Sequence, residues 1–86
     1  MSTRYTLRLE TDGKEVFKRW SGDREEVLRL AVPALVDLGV AERLAEMFLA
    51  GAKAASPPPG HQAGSAVHSP DLRSMLTFEV RTTGGS

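Results

Sequence analysis

Asp12-Gly13 stands between two stretches of strand-forming residues, and an Asp-Gly dipeptide in that setting closes a β-hairpin. Before it, Tyr5, Leu7 and Leu9 alternate with Thr6, Arg8 and Glu10, the period-two pattern of a strand with one covered face. After it, Val16-Phe17 through Trp20 supplies the returning strand. Two registers compete, and a slip of one residue between them moves every side chain of the second strand to the other face. A two-residue Asp12-Gly13 loop sets Glu10 opposite Glu15, a repulsive pair. A three-residue loop, Thr11-Asp12-Gly13 with Gly13 left-handed, sets Glu10 opposite Lys14 and Leu7 opposite Phe17, and the charges favour it.

Helical spacing follows. Asp23 with Glu26 three residues later forms a capping-box-like start, and Val27, Leu30, Ala31, Ala34 and Leu38 recur on one face until Gly39 ends the helix. Pro33 removes a backbone donor inside this pattern, which predicts a kink or a restart there. A second helix spans about 41–55, with Leu44, Met47, Phe48 and Ala52 expected inward.

Residues 54 to 70 contain no Asp, Glu, Lys or Arg and show no periodicity, and Ser56-Pro-Pro-Pro-Gly60 punctuates their start. A flexible Pro/Gly/Ser/His loop over 56–73 is expected, then a last strand at 74–82 with Leu76, Phe78 and Val80 on one face, then a tail at 83–86. The fold class is therefore α+β in the order β-β-α-α-β: one domain with a three-stranded sheet, two helices packed on one face and a long loop before the last strand. The last strand is expected beside strand 1 and parallel to it, or beside strand 2 and antiparallel.

An 86-residue chain supports one modest core, burying about 60 to 65% of its unfolded surface. Without cysteine it has no disulfides or thiolate chemistry, so packing alone must hold it. Eleven basic residues balance eleven acidic ones, unlike a general nucleic-acid coat. The balance conceals an asymmetry: Arg4, Arg8, Lys14, Lys18 and Arg19 outnumber the acids of residues 1–22, while residues 23–55 are acidic. The opening residues lack a basic and apolar leader, and no apolar stretch approaches the roughly 18 residues of a membrane span. A cytoplasmic protein without membrane contact is expected.

Catalytic constellations are thin. His61, His68, Ser65, Ser69 and Asp71 share the expected loop, but a triad needs groups held by a packed shell that such a loop does not supply. Two histidines are too few for a stable zinc site. The paired acids Glu25-Glu26 and Glu42 with Glu46 occupy outward helix positions, where they remain solvated. No catalytic residue, cofactor or metal ligand is assigned.

The informative surface is the sheet face the helices leave open. It is expected to pair Arg4 with Trp20, Thr6 with Lys18 and Arg8 with Val16, with Met75, Thr77, Glu79 and Arg81 added by the last strand. Arg4, Arg8, Val16, Lys18 and Trp20 are the candidate partner-binding residues, a mixed basic and aromatic set suited to a protein interface. These features describe a small non-enzymatic module that binds another protein through this face or through an unpaired strand edge, where a second copy of the chain also fits and forms a homodimer. A nucleic acid on the same face is the alternative, although stacking platforms usually present more than one aromatic. The layout of hairpin, helices and last strand resembles that of several small phage-encoded inhibitors, anti-CRISPR proteins among them. That resemblance implies an inhibitor of a host complex and lies in layout alone, with no shared residue motif.

Overall fold

The computed structural model describes residues 2–83. Its elements are β1 (Ser2–Thr11), β2 (Lys14–Ser21), α1 (Arg24–Asp37), α2 (Glu42–Ala54), β3 (Gln62–His68) and β4 (Ser74–Thr83). Asp12 and Gly13 both take positive φ, 53° and 79°, and form the two-residue turn whose twist matches that of the flanking strands. Glu10 consequently faces Glu15, contrary to the register the charges favour. Arg8 offsets that repulsion, with its Nε 3.0 Å from Glu10 Oε1. Val16 then has no partner on β1. This β-bulge shifts the pairing, which resumes with Leu9 opposite Phe17, Arg8 opposite Lys18 and Thr6 opposite Trp20. Beyond the bulge each expected pair is displaced by two residues, which keeps Phe17, Lys18 and Trp20 on their expected faces, whereas next to the turn the displacement is one and Lys14 pairs with Thr11 instead of Glu10.

Asp23 caps α1 by accepting from the Glu25 amide at 3.1 Å. Glu26 does not close a capping box directly: Ser21 Oγ accepts from the Asp23 amide at 3.0 Å and donates to Glu26 Oε2 at 3.0 Å. α1 continues through Pro33, which is exposed, and does not restart there. It ends at Gly39, φ 72°, where the Val40 amide bonds the Leu35 carbonyl and the Gly39 amide bonds that of Val36. Arg24 ties the two helices together. Its guanidinium donates to the carbonyls of Lys53 and Ala55 at the end of α2 and lies 5.1 Å from the Tyr5 ring centre. A cation there complements the negative end of the α2 dipole.

The sheet has four strands, not three, in the order β2-β1-β4-β3, antiparallel throughout. Residues 62–68, expected within a flexible loop, form β3 against β4. Because β3 reverses the chain, β4 runs antiparallel beside β1, in neither of the placements expected from the sequence. The strand assignment also reaches Thr83, expected in the tail, while residues 84–86 lie outside the described residues. Leu7, Leu76, Phe78 and Val80 of the inner face meet Val27 and Ala31 of α1 and Phe48 and Ala52 of α2 in one buried cluster.

Close backbone approach builds β3. Gly64 lies so near Phe78 that a Cβ on it would overlap the Phe78 carbonyl oxygen, and a Cβ on Gly51 of α2 would overlap Ser65 Oγ. Seating Gly51 over β3 rolls α2, so Ala45 and Leu49 turn toward the core. Leu44 and Met47, expected inward, are instead 49% and 64% exposed.

The two hairpin turns are clipped together at one end of the sheet. Arg73 makes a two-pronged contact with Asp12, Nε to Oδ1 at 3.1 Å and Nη2 to Oδ2 at 2.8 Å, and the Asp12 amide donates to the Arg73 carbonyl at 2.8 Å. The Arg73 hydrogen bond holds the Asp12 carboxyl below the usual carboxylate range. The Ser69 hydroxyl, followed by the Arg73 amide, does the same for Asp71.

Two outcomes follow from this packing. Gly64→Ala forces strand against strand and is expected to cost about 1–3 kcal/mol, read as a lowered midpoint in thermal or urea unfolding; an unchanged midpoint would mean that β3 does not approach β4 this closely. Asp12 and Asp71 stabilise the fold while ionised, because their folded pKa values are depressed. Their contribution is complete above the unfolded value of about 4 and is lost as pH falls through the lowered values. Thermal melts from pH 5 to pH 2 should show this loss, and Asp12→Asn should reduce its size.

Candidate functional site

β1, β2 and β4 present their outward residues on the face opposite the helices, and these line a shallow trough of about 780 Å³. Ser2, Arg4, Thr6 and Arg8 come from β1, Lys18 and Trp20 from β2, and Thr77, Glu79, Arg81 and Thr83 from β4. Strand alternation puts them together, since the partners of each pair share a face. One row across the sheet reads Trp20, Thr6, Glu79, Gly64, and the next reads Lys18, Arg8, Thr77, Ala66.

Four of the five residues expected to bind a partner, Arg4, Arg8, Lys18 and Trp20, line this trough. Val16 does not. As the bulge residue it is 58% exposed but sits outside the trough lining and opposite no residue of β1. Thr77, Glu79 and Arg81 join the face as expected, whereas Met75 pairs with Glu10 beyond the lining. Ser2 and Thr83, missed by sequence reasoning, extend the trough at one end, where their hydroxyls lie 2.7 Å apart.

The electrostatics are uneven. Arg4 faces Arg81 across β1 and β4, and Arg8 faces Lys18 across β1 and β2, so two cation pairs stand directly opposed. Opposed like charges destabilise a sheet. Part of the strain is relieved locally: Arg81 donates to Gln62 Oε1 at 2.9 Å and lies 3.8 Å from Glu79, while Arg8 pairs with Glu10. The Arg4 guanidinium rests over the Trp20 ring, 4.3 Å from its centre, a cation–π contact. Among the described residues neither Arg4 nor Lys18 forms an ion pair. Thr77 Oγ1, on the row beside Arg8, is buried without a hydrogen-bond partner. The trough therefore offers cations, hydroxyls and one indole, with Glu79 interrupting the positive charge.

The other constellations resolve into scaffold. Ser69 is buried; its hydroxyl donates to Asp71 Oδ1 at 2.6 Å and accepts from the Ser74 amide at 3.0 Å, which makes it a staple of the β3–β4 turn. His61 and His68 stand at opposite ends of β3, exposed and about 20 Å or more apart at the rise of a strand. Glu25, Glu26, Glu42 and Glu46 are exposed. No group of three or more His, Asp or Glu with metal-binding proximity occurs among the described residues. No helix among them is long and apolar enough to cross a membrane. No protein-family model, curated protein or solved structure matches this chain.

Trp20 is the sole tryptophan, so its fluorescence reports the trough directly. Arg4→Ala should uncover one face of the indole and increase acrylamide quenching, with little change in the thermal midpoint. Quenching equal to that of the wild type would show that Arg4 does not cover the ring in solution.

Proposed function

We propose that this chain is a small non-enzymatic binding module whose trough receives an acidic segment of another protein. The observation that carries the reading is the pair of opposed cations, Arg4 with Arg81 and Arg8 with Lys18, on an open face beside an exposed Trp20. An arrangement that weakens the isolated sheet becomes favourable once carboxylates neutralise it, and arginine and tryptophan are common anchors of protein interfaces.

A protein suits this face better than a nucleic acid. Glu79 lies among the cations of the trough and Glu10 pairs with Arg8 at its border, so both interrupt a continuous phosphate track, whereas a protein surface can meet them with its own lysine or arginine. Trp20 is the one aromatic lining the trough, and Arg4 already occupies one of its faces, which leaves little platform for successive bases.

The test compares the tagged wild-type protein with the Arg8→Glu, Trp20→Ala double variant in captures from native lysate, with and without nuclease. The wild type should retain a defined protein after nuclease, and the double variant should lose it at least tenfold. Arg8→Glu exchanges the Arg8–Lys18 repulsion for attraction but also replaces the Arg8–Glu10 pair by a third carboxylate beside Glu10 and Glu15, so circular dichroism and a melt accompany the capture and establish that the variant is folded. Equal capture by the folded variant refutes the reading. Capture that vanishes with nuclease and falls steeply between 50 and 200 mM salt replaces the protein partner by a nucleic acid.

A further inference from the structure

The two edges of the sheet differ in a way that bears on self-association. β2, at one edge, carries Lys14, Glu15, Lys18 and Arg19 and is bent by the bulge at Val16, and both are devices that discourage pairing with a further strand. β3, at the other edge, is Gln62-Ala-Gly-Ser-Ala-Val-His68: seven residues with no charge, no proline and no bulge, paired only with β4. Its outer row of backbone amides and carbonyls has no strand against it among the described residues.

The helix above this edge adds side chains. Gly51 of α2 rests on Ser65 of β3, so the α2 flank that contains Gly51 is the one beside the edge. Met47 and Leu44 precede Gly51 by four and seven residues and therefore lie on that same flank. They are 64% and 49% exposed. An uncharged strand edge and an apolar flank thus run side by side.

We infer that β3 pairs antiparallel with β3 of a second copy of this chain, joining two sheets into one of eight strands. A two-fold axis brings each residue of the edge opposite another residue of the same edge, so any charge on it would meet its own kind near the axis. β3 satisfies that requirement by carrying none. With the axis at Ser65, Gln62 falls opposite His68 of the second copy, a neutral amide beside an imidazole, and Gly64 opposite Ala66, where small side chains allow close approach. A foreign strand would be selected by a charge or a pocket, and residues 63–67 offer neither; the cleft lined by Gly60, His61, Gln62 and Arg81 lies at the end of the strand, away from the axis at Ser65. A specific interface buries about 1,000 Å² or more, so a seven-residue strand pair needs added side-chain area, and Leu44 and Met47 of both copies supply it.

The inference is independent of what occupies the trough, and sedimentation velocity of the purified full chain tests it without any ligand. The wild type should sediment as a dimer at tens of micromolar. Ala66→Lys and Ala66→Glu, each at an exposed position of the edge, should each sediment as a monomer with wild-type circular dichroism, and an equimolar mixture of the two should recover the dimer. Val16→Lys at the opposite edge should leave the dimer intact. A wild type that stays monomeric to about 200 µM overturns the inference, as does a dimer that survives Ala66→Lys combined with Met47→Glu or one that is lost on Val16→Lys. Should the Ala66 variants misfold, Met47→Glu on the exposed helix flank provides the same reading, with at least a tenfold weaker dimer expected and an unchanged one refuting the pairing.

Discussion

β1 and β4 pair over ten residues at the centre of the sheet, and the rest of the structure is arranged around that pairing. Alternate positions send Tyr5, Leu7 and Leu9 of one strand and Leu76, Phe78 and Val80 of the other beneath the helices, with Leu7 directly opposite Phe78. A chain of this size has one core, and these side chains are its floor. The two strands are distant in sequence, so their contact closes most of the chain into a loop. The hairpins on either side, and the Asp12–Arg73 clip at their turns, fix that closure in one register.

The elements whose sequences alternate strongly were legible, and those whose geometry rests on the backbone were not. β1 and β4 stand where period-two spacing puts them, α1 begins and ends within a residue or two of its Asp23 and Gly39 signals, and α2 lies within a residue of the span its periodicity gives. The hairpin register departed from the charge argument because a two-residue Asp-Gly turn with both φ positive outweighs one exposed Glu10–Glu15 repulsion. The bulge at Val16 then restored the parity that the inner face requires, which keeps Phe17 against the core and Trp20 on the open side. β3 gave almost no signal. Ala63, Ser65 and Val67 face inward and Gln62, Gly64, Ala66 and His68 outward, an alternation with hardly any contrast in hydrophobicity. Gly64 and Ser65 are small where the Phe78 carbonyl and Gly51 approach them closely, so the packing at the middle of the strand also weakens its pattern.

The candidate site was legible to the extent that it follows from facing. Arg4, Arg8, Lys18 and Trp20 share the open face because alternation, once the inner face is known, leaves them nowhere else. What spacing cannot convey is which residues lie across from one another. The opposition of Arg4 to Arg81 depends on β4 running antiparallel beside β1, and that direction depends on β3, the strand the sequence conceals. The charge argument for the trough therefore became visible only with the complete topology. In the same way, the outward turn of Leu44 and Met47 follows from how α2 sits on β3 and not from the periodicity of the helix itself.

The two faces of the sheet divide the work of the fold unequally. The inner face, the Arg24 clamp on α2 and the turn clip provide the stability, and none of them involves the trough residues. Opposed cations on the outer face cost the sheet only about 0.2–1 kcal/mol each, a burden a small domain tolerates so long as its core is intact. Exchanging Arg4 for threonine would remove one of these oppositions without breaking an ion pair, whereas Arg8 also pairs with Glu10 and Arg81 also holds Gln62. The Arg4–Arg81 opposition weakens the isolated sheet, and that is the feature from which the proposal of an acidic partner is argued.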